Sequence, residues 1–126
     1  MKNAGLLLIA ILLAAVLFPL GVLTTLAVAL SRGSLSKVLG YLSVSALSTA
    51  LAIDIMGNVM CRDLLNRVMR KREGYPFGGQ GETISRVLGK NKAADTLTDL
   101  GRALANLLNW MDKRHVEESA KPIYLP

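Results

Sequence analysis

The side chains best suited to chemistry lie at two places in this sequence. Asp54 and Cys61 close an apolar stretch, and Asp112, His115 and Glu118 stand near the carboxyl end. The second set is spaced by three, so on one helix its carboxylates and imidazole share a face that suits a divalent cation. That spacing also arises readily by chance on a solvated helix end, and neither a metal centre nor a cofactor is expected. The single His is in the polar end and the single Cys is at the apolar one, so the linear order shows no Ser–His–Asp or Cys–His arrangement for nucleophilic catalysis. The run Gly74-Tyr75-Pro76-Phe77-Gly78-Gly79-Gln80-Gly81 lacks the lysine and the preceding strand of a phosphate-binding loop. An enzyme is not expected. One cysteine excludes an intrachain disulfide framework, and Cys61 reads as a small apolar filler.

The elements that carry these residues follow from hydropathy. No charged residue occurs from Ala4 to Leu30, and Asp54 is the only one from Val38 to Met60. A helix needs about 20 apolar residues to cross a hydrocarbon core of roughly 30 Å. Two transmembrane helices are therefore expected, over about 4–30 and 38–60, and the fold class is all-α. The net charge of +6 does not indicate nucleic acid. Arg62, Arg67, Arg70, Lys71 and Arg72 sit directly after the second span, where the positive-inside bias places basic residues and anionic headgroups attract them. No interleaved aromatics suggest base stacking. Lys2 plus these five make six basic residues flanking the outer ends of the spans, against Arg32 and Lys37 between them. A multi-pass hairpin in a bacterial inner membrane, both termini cytoplasmic, is the expected topology. Cleavage of a signal peptide at Ala27-Val28-Ala29 is the alternative.

The second span carries a stripe of small residues. Gly40, Ser43, Ala50, Asp54, Gly57 and Cys61 share one face, interrupted by Leu47, and small residues let membrane helices approach closely. Ala10, Ala14 and Gly21 offer a partner stripe on the first span, which contains Pro19. A carboxylate at the centre of a span costs roughly 2.5–3.5 kcal/mol and less nearer the interface, so Asp54 should face another helix. It is read either as an ion path, proton-linked switch or oligomer contact, or as a residue reaching water or Arg62.

Residues 62–73 are read as a basic juxtamembrane helix in register with the second span, with Leu64, Leu65, Val68 and Met69 on its apolar side. Residues 74–81 form a glycine-rich turn, and 82–126 a cytoplasmic helical tail. There a short helix, Glu82 to Leu88, is closed by Gly89. A longer one begins near Asp95 or Thr96, with Asp99 completing a cap. Its apolar face is Leu97, Leu100, Leu104, Leu107, Leu108 and Met111, opposite Asp99, Arg102, Asn106, Asn109 and Lys113. With so few residues an independent core is marginal, so docking on the short helix, the membrane surface or a protein partner is expected.

Asp54-x-x-x-Asn58, a glycine-rich turn running into Glu82-Thr83-Ile84-Ser85 and Gly89, and a leucine helix ending in Asp112-x-x-His115 follow in that order. This order resembles a group of small membrane proteins of tailed bacteriophages and prophages, over roughly residues 50 to 120. Gly81 replaces an acidic residue of that pattern, and Val116 stands where a Cys often follows the His, which removes a His/Cys metal pair. The resemblance implies origin more than mechanism. The expected role is that of a small inner-membrane protein acting by homo-oligomerisation or partner recruitment on the lipid bilayer. A holin-like lysis protein and an ion- or proton-coupled component using Asp54 are the alternatives.

Overall fold

The computed structural model describes residues 2–122, and the last four residues of the expected tail lie outside that range. The described chain is all-helical: α1 Lys2–Leu30, α2 Leu35–Met60, α3 Arg62–Val68, α4 Ile84–Ala93, α5 Asp99–Met111 and α6 His115–Ala120. It divides into two compact units, Met1–Thr49 and Ala50–Pro126, with the boundary inside α2.

The first unit holds α1 and the first part of α2. Both helices are long and apolar enough to cross a membrane. The helix continues through Pro19. Face-to-face packing of the two spans is not what forms: α1 and α2 share no extended contact. A Cβ added at Gly5, Gly21 or Gly40 would meet nothing within 4 Å. Apolar helices gain only packing contacts by associating in lipid, and Leu39 and Leu47 interrupt the small-residue face with exposed bulk. The upper half of the stripe, Gly40, Ser43 and Ala50, is therefore open.

The second unit begins with the last turns of α2 and builds a small core. Leu65, Phe77, Val87, Leu88, Leu97, Ala105 and Val116 are buried, with Met69, Ile84, Leu104 and Leu108 packed against them. The juxtamembrane helix is shorter than its charge pattern suggests. It is interrupted at Cys61 and ends at Val68. The reason is Thr98, whose hydroxyl and backbone N–H donate to the Val68 and Met69 carbonyls at 2.6 and 3.1 Å. Those carbonyls would otherwise accept the next helical turn.

Helix α4 starts at Ile84 rather than Glu82 and runs through Gly89 to Ala93, so Gly89 is not a terminator. It is a contact point. A Cβ there would collide with the Val116 carbonyl oxygen and the Ala120 side chain, so the missing side chain lets α6 lie directly on α4. The long tail helix begins at Asp99 with Thr98 as its cap, the hydroxyl accepting from Gly101 N–H at 3.1 Å, and not near Asp95. Its inward face is Gly101, Ala105, Leu104 and Leu108. Leu100, Leu107 and Met111 of the expected apolar face do not pack on the short helix and lie exposed together with Trp110 at 82%. The short loop 94–98 before α5 and the proximity of α3 select the smaller residues for the interior, since a Cβ at Gly101 would meet the Met69 carbonyl.

Candidate functional site

Asp54 and Asn58 are one helical turn apart at the end of α2 and face the start of α4. Asp54 Oδ1 accepts the Ile84 N–H at 2.9 Å, and Oδ2 accepts the Ser85 hydroxyl at 2.9 Å. Helix α4 carries no acidic residue in its first turn, so Asp54 supplies from α2 the negative charge that a helix N-terminus favours. The Thr83 hydroxyl accepts the Arg86 N–H at 3.0 Å and completes the cap. This answers the question raised by a carboxylate at the end of an apolar helix. Asp54 does not reach Arg62, whose guanidinium lies near Asp63.

Asn58 is fully buried and satisfied on both ends of its amide. It donates to the Gly79 and Glu82 carbonyls at 3.3 and 2.9 Å and accepts the Gly78 N–H at 3.1 Å. Two turns on, Asn66 repeats the grip: it donates to the Phe77 carbonyl at 3.0 Å and accepts the Phe77 N–H at 2.9 Å. The glycine-rich turn is thus held along α2 and α3 by two asparagines that stand in for a neighbouring strand. Gly78 has φ +103° and lies against the stem of Arg62, a position that only glycine fills without strain. Gly57, from the small-residue stripe, meets Ile84 instead of another span.

The turn is closed by a charged knot. Glu82 pairs with Lys90, accepts the Tyr75 hydroxyl at 3.1 Å and lies 3.5 Å from Arg86, while the Lys90 ammonium sits 3.9 Å from the centre of the Tyr75 ring. Burial pushes the Glu82 carboxyl up. Hydrogen bonds from Lys90 and Tyr75 and the charges of Lys90 and Arg86 outweigh it and hold the group below its ordinary value. Burial likewise pushes the Lys90 ammonium down, and its bonds to Glu82 and Tyr75 carry it above its ordinary value.

His115 departs most from its place in the linear order. Its Nδ1 lies 3.0 Å from Asp112 Oδ2 and its Nε2 lies 3.3 Å from Ser85 Oγ. A Ser–His–Asp constellation is therefore present, assembled from residues 30 apart, where the linear order showed none. Ser85 is buried in the first turn of α4, and its hydroxyl hydrogen is directed to Asp54. The shared metal face is absent. Asp112 caps the end of α5 in an extended conformation, Arg114 is left-handed, and Glu118 turns to Lys121 and Arg114. Among the described residues no group of three His, Cys, Asp or Glu side chains is placed to hold a metal ion.

Of the basic cluster, Arg62, Arg67, Lys71 and Arg72 are exposed. Arg70 is turned inward, contrary to a headgroup role: it donates to Asn66 and to the Lys71, Arg72 and Gly74 carbonyls. Cys61 is exposed and free. Two further residues were not singled out by the sequence as parts of a site. Asn91 is fully buried and bonds the Tyr75 carbonyl and the Thr96 hydroxyl, and Asn109 joins the Val116 N–H to Glu117. The available signal was the asparagines themselves, poor helix formers repeated inside helical segments. No family model matches the chain, no curated protein matches it, and no solved structure matches its fold.

Proposed function

We propose that the chain is a small membrane-anchored interaction protein that organises copies of itself in the bilayer and catalyses no reaction. One observation carries this reading: the polar groups of Asp54 and Asn58, the site the sequence marks out, are all engaged in joining α2 to the tail. Nothing in that clasp is left pointing at a substrate. The open part of α2, Gly40, Ser43 and Ala50, supports association between spans of different copies. The exposed apolar residues of α5 offer a surface for a protein partner, and the exposed arginines suit anionic headgroups. The distribution of basic residues supports a bacterial inner membrane with both ends cytoplasmic. The resemblance over roughly residues 50 to 120 supports a phage or prophage origin.

Thiol crosslinking through the lone Cys61 in native membranes tests the reading. Adducts of two or more copies are expected, and Gly40→Leu together with Ala50→Leu should diminish them without unfolding the protein, because both positions are open. Monomer alone at every crosslinker length would contradict it. Abrupt loss of membrane potential on induced expression would instead favour the holin-like alternative.

A further inference from the structure

Three contacts join four side chains, from α2, α4, α6 and the end of α5: Asp54 Oδ2 to Ser85 Oγ, Ser85 Oγ to His115 Nε2, and His115 Nδ1 to Asp112 Oδ2. A count of hydrogens decides what such a chain requires. The Ser85 hydroxyl brings one hydrogen, a neutral imidazole brings one, and ionised carboxylates bring none. Three hydrogen bonds need three. The third must be an additional proton, whether it resides on the imidazole or on a carboxylate at either end. With the ring neutral and both carboxylates ionised, one of the three contacts becomes two acceptors facing each other.

We propose that Asp54, Ser85, His115 and Asp112 form a single-proton binding site that ties the docking of α6 on α4 to pH. The proton comes from solvent, to which Asp112 is open at 75% side-chain exposure, and the Ser85 end is buried. The other charged groups on the elements around His115 are engaged elsewhere. On α4, Lys90 is taken by Glu82 and Lys92 by Glu117, while Arg86 lies 3.5 Å from Glu82 with its buried Nε making no hydrogen bond. On α6, Glu117 also accepts from Asn109 of α5, and Glu118 is held by Lys121 and Arg114. Lys113 is exposed beside Asp112. From α2 only Asp54 faces the chain. The bound proton therefore answers the two carboxylates of the chain and no third acid. Its release leaves the ring one hydrogen for two contacts. With that hydrogen on the shorter one, to ionised Asp112 at 3.0 Å, the 3.3 Å contact of His115 with Ser85 is lost, and the fit of Val116 of α6 against Gly89 of α4 loses a neighbouring anchor.

The protein has one histidine, so its imidazole signals are unambiguous in an NMR titration of the full chain in micelles. Amide exchange across α6, corrected for its intrinsic pH dependence, is followed in the same samples. The opening of α6 should rise about 3- to 10-fold, the equivalent of one net hydrogen bond, over the pH range in which the chain releases its proton. His115→Gln should flatten that dependence. Ser85→Ala should leave an imidazole that still titrates while α6 no longer follows it, which covers the case in which His115→Gln fails to fold. Opening that is indifferent to pH across the titration, or that follows pH equally in both variants, would overturn the proposal. Neither result bears on self-association through the spans, which Cys61 crosslinking reads separately.

Discussion

Asp54 and Ser85, 31 residues apart in the chain, are joined by a 2.9 Å hydrogen bond in which the serine hydroxyl donates to the carboxylate. The bond ties the end of an apolar helix to the first turn of a polar one. With the Ile84 N–H on the other carboxylate oxygen, it makes Asp54 part of a helix cap that lies on a different helix. Asp54→Ala leaves the Ile84 N–H without its partner and the Ser85 hydroxyl with His115 alone, and should destabilise the second unit by about 1–3 kcal/mol. Asp54→Asn keeps one acceptor and should cost less. Hydrogen exchange at Ile84 and Ser85 in the micelle-bound protein measures both, and insertion of α2 should be unimpaired.

Asn58 and Asn66 hold the glycine-rich turn by the same type of contact. Asn58→Leu is close in volume but leaves the Gly78 N–H and the Glu82 carbonyl unpaired, so a loss of about 1–3 kcal/mol is expected. The readout is limited proteolysis between residues 74 and 82. Cleavage there should accelerate in Asn58→Leu and in Asn66→Leu, before the helices themselves are cut.

Two glycines should behave in opposite ways. Gly89→Ala places a methyl group against the Val116 carbonyl and Ala120, and should cost at least the roughly 1–3 kcal/mol of an overpacked interior while releasing α6. Gly40→Ala meets nothing and should leave stability unchanged or slightly raised, since alanine favours the helix. Thermal unfolding of the two variants followed by circular dichroism separates them.

The charged pairs predict a loss of stability in acid. Glu82 is held below its ordinary value of 4.5, as described. Glu117 is also below it, chiefly through its hydrogen bond from Lys92, against the opposing effect of burial. A carboxyl whose folded value lies below its unfolded one stabilises the fold fully above about 4.5, and that contribution fades as pH falls through the folded value. Lys90 has the opposite sense: its contribution is complete below its ordinary 10.5 and is lost as pH rises through the folded value. The unfolding midpoint of the tail should therefore drop below about pH 4.5. Glu82→Gln and Glu117→Gln should each make that drop shallower.

The two apolar helices and the all-helical class were legible in the sequence, because both follow from local hydropathy; the cost of an isolated charge called for a partner to Asp54 but did not point to α4 of the tail. The order Asp54, Asn58, Glu82, Ser85, His115 also held most of the site. What could not be read was which residues meet. Gly89 looked like a helix terminator because its neighbour Val116 is distant in sequence, and only their contact explains it. Leu100 and Leu107 fit a buried helical stripe by spacing alone, whereas the close approach of α3 to Gly101 rotates the inward face toward Ala105. Asn66 and Arg70 sat in a run read as a basic juxtamembrane helix, and their roles depend on carbonyls brought near by the turn.

A double-mutant cycle between Asp54 and Ser85 tests the clasp most directly. The unfolding free energy of the second unit is measured in micelles for Asp54→Ala, Ser85→Ala and the pair. Residues joined by a hydrogen bond should show a coupling of about 0.5–1.5 kcal/mol, because removing either one already removes the contact. Effects that add to within about 0.3 kcal/mol would mean that the two side chains do not meet, and would contradict the joining of α2 to the tail through Asp54.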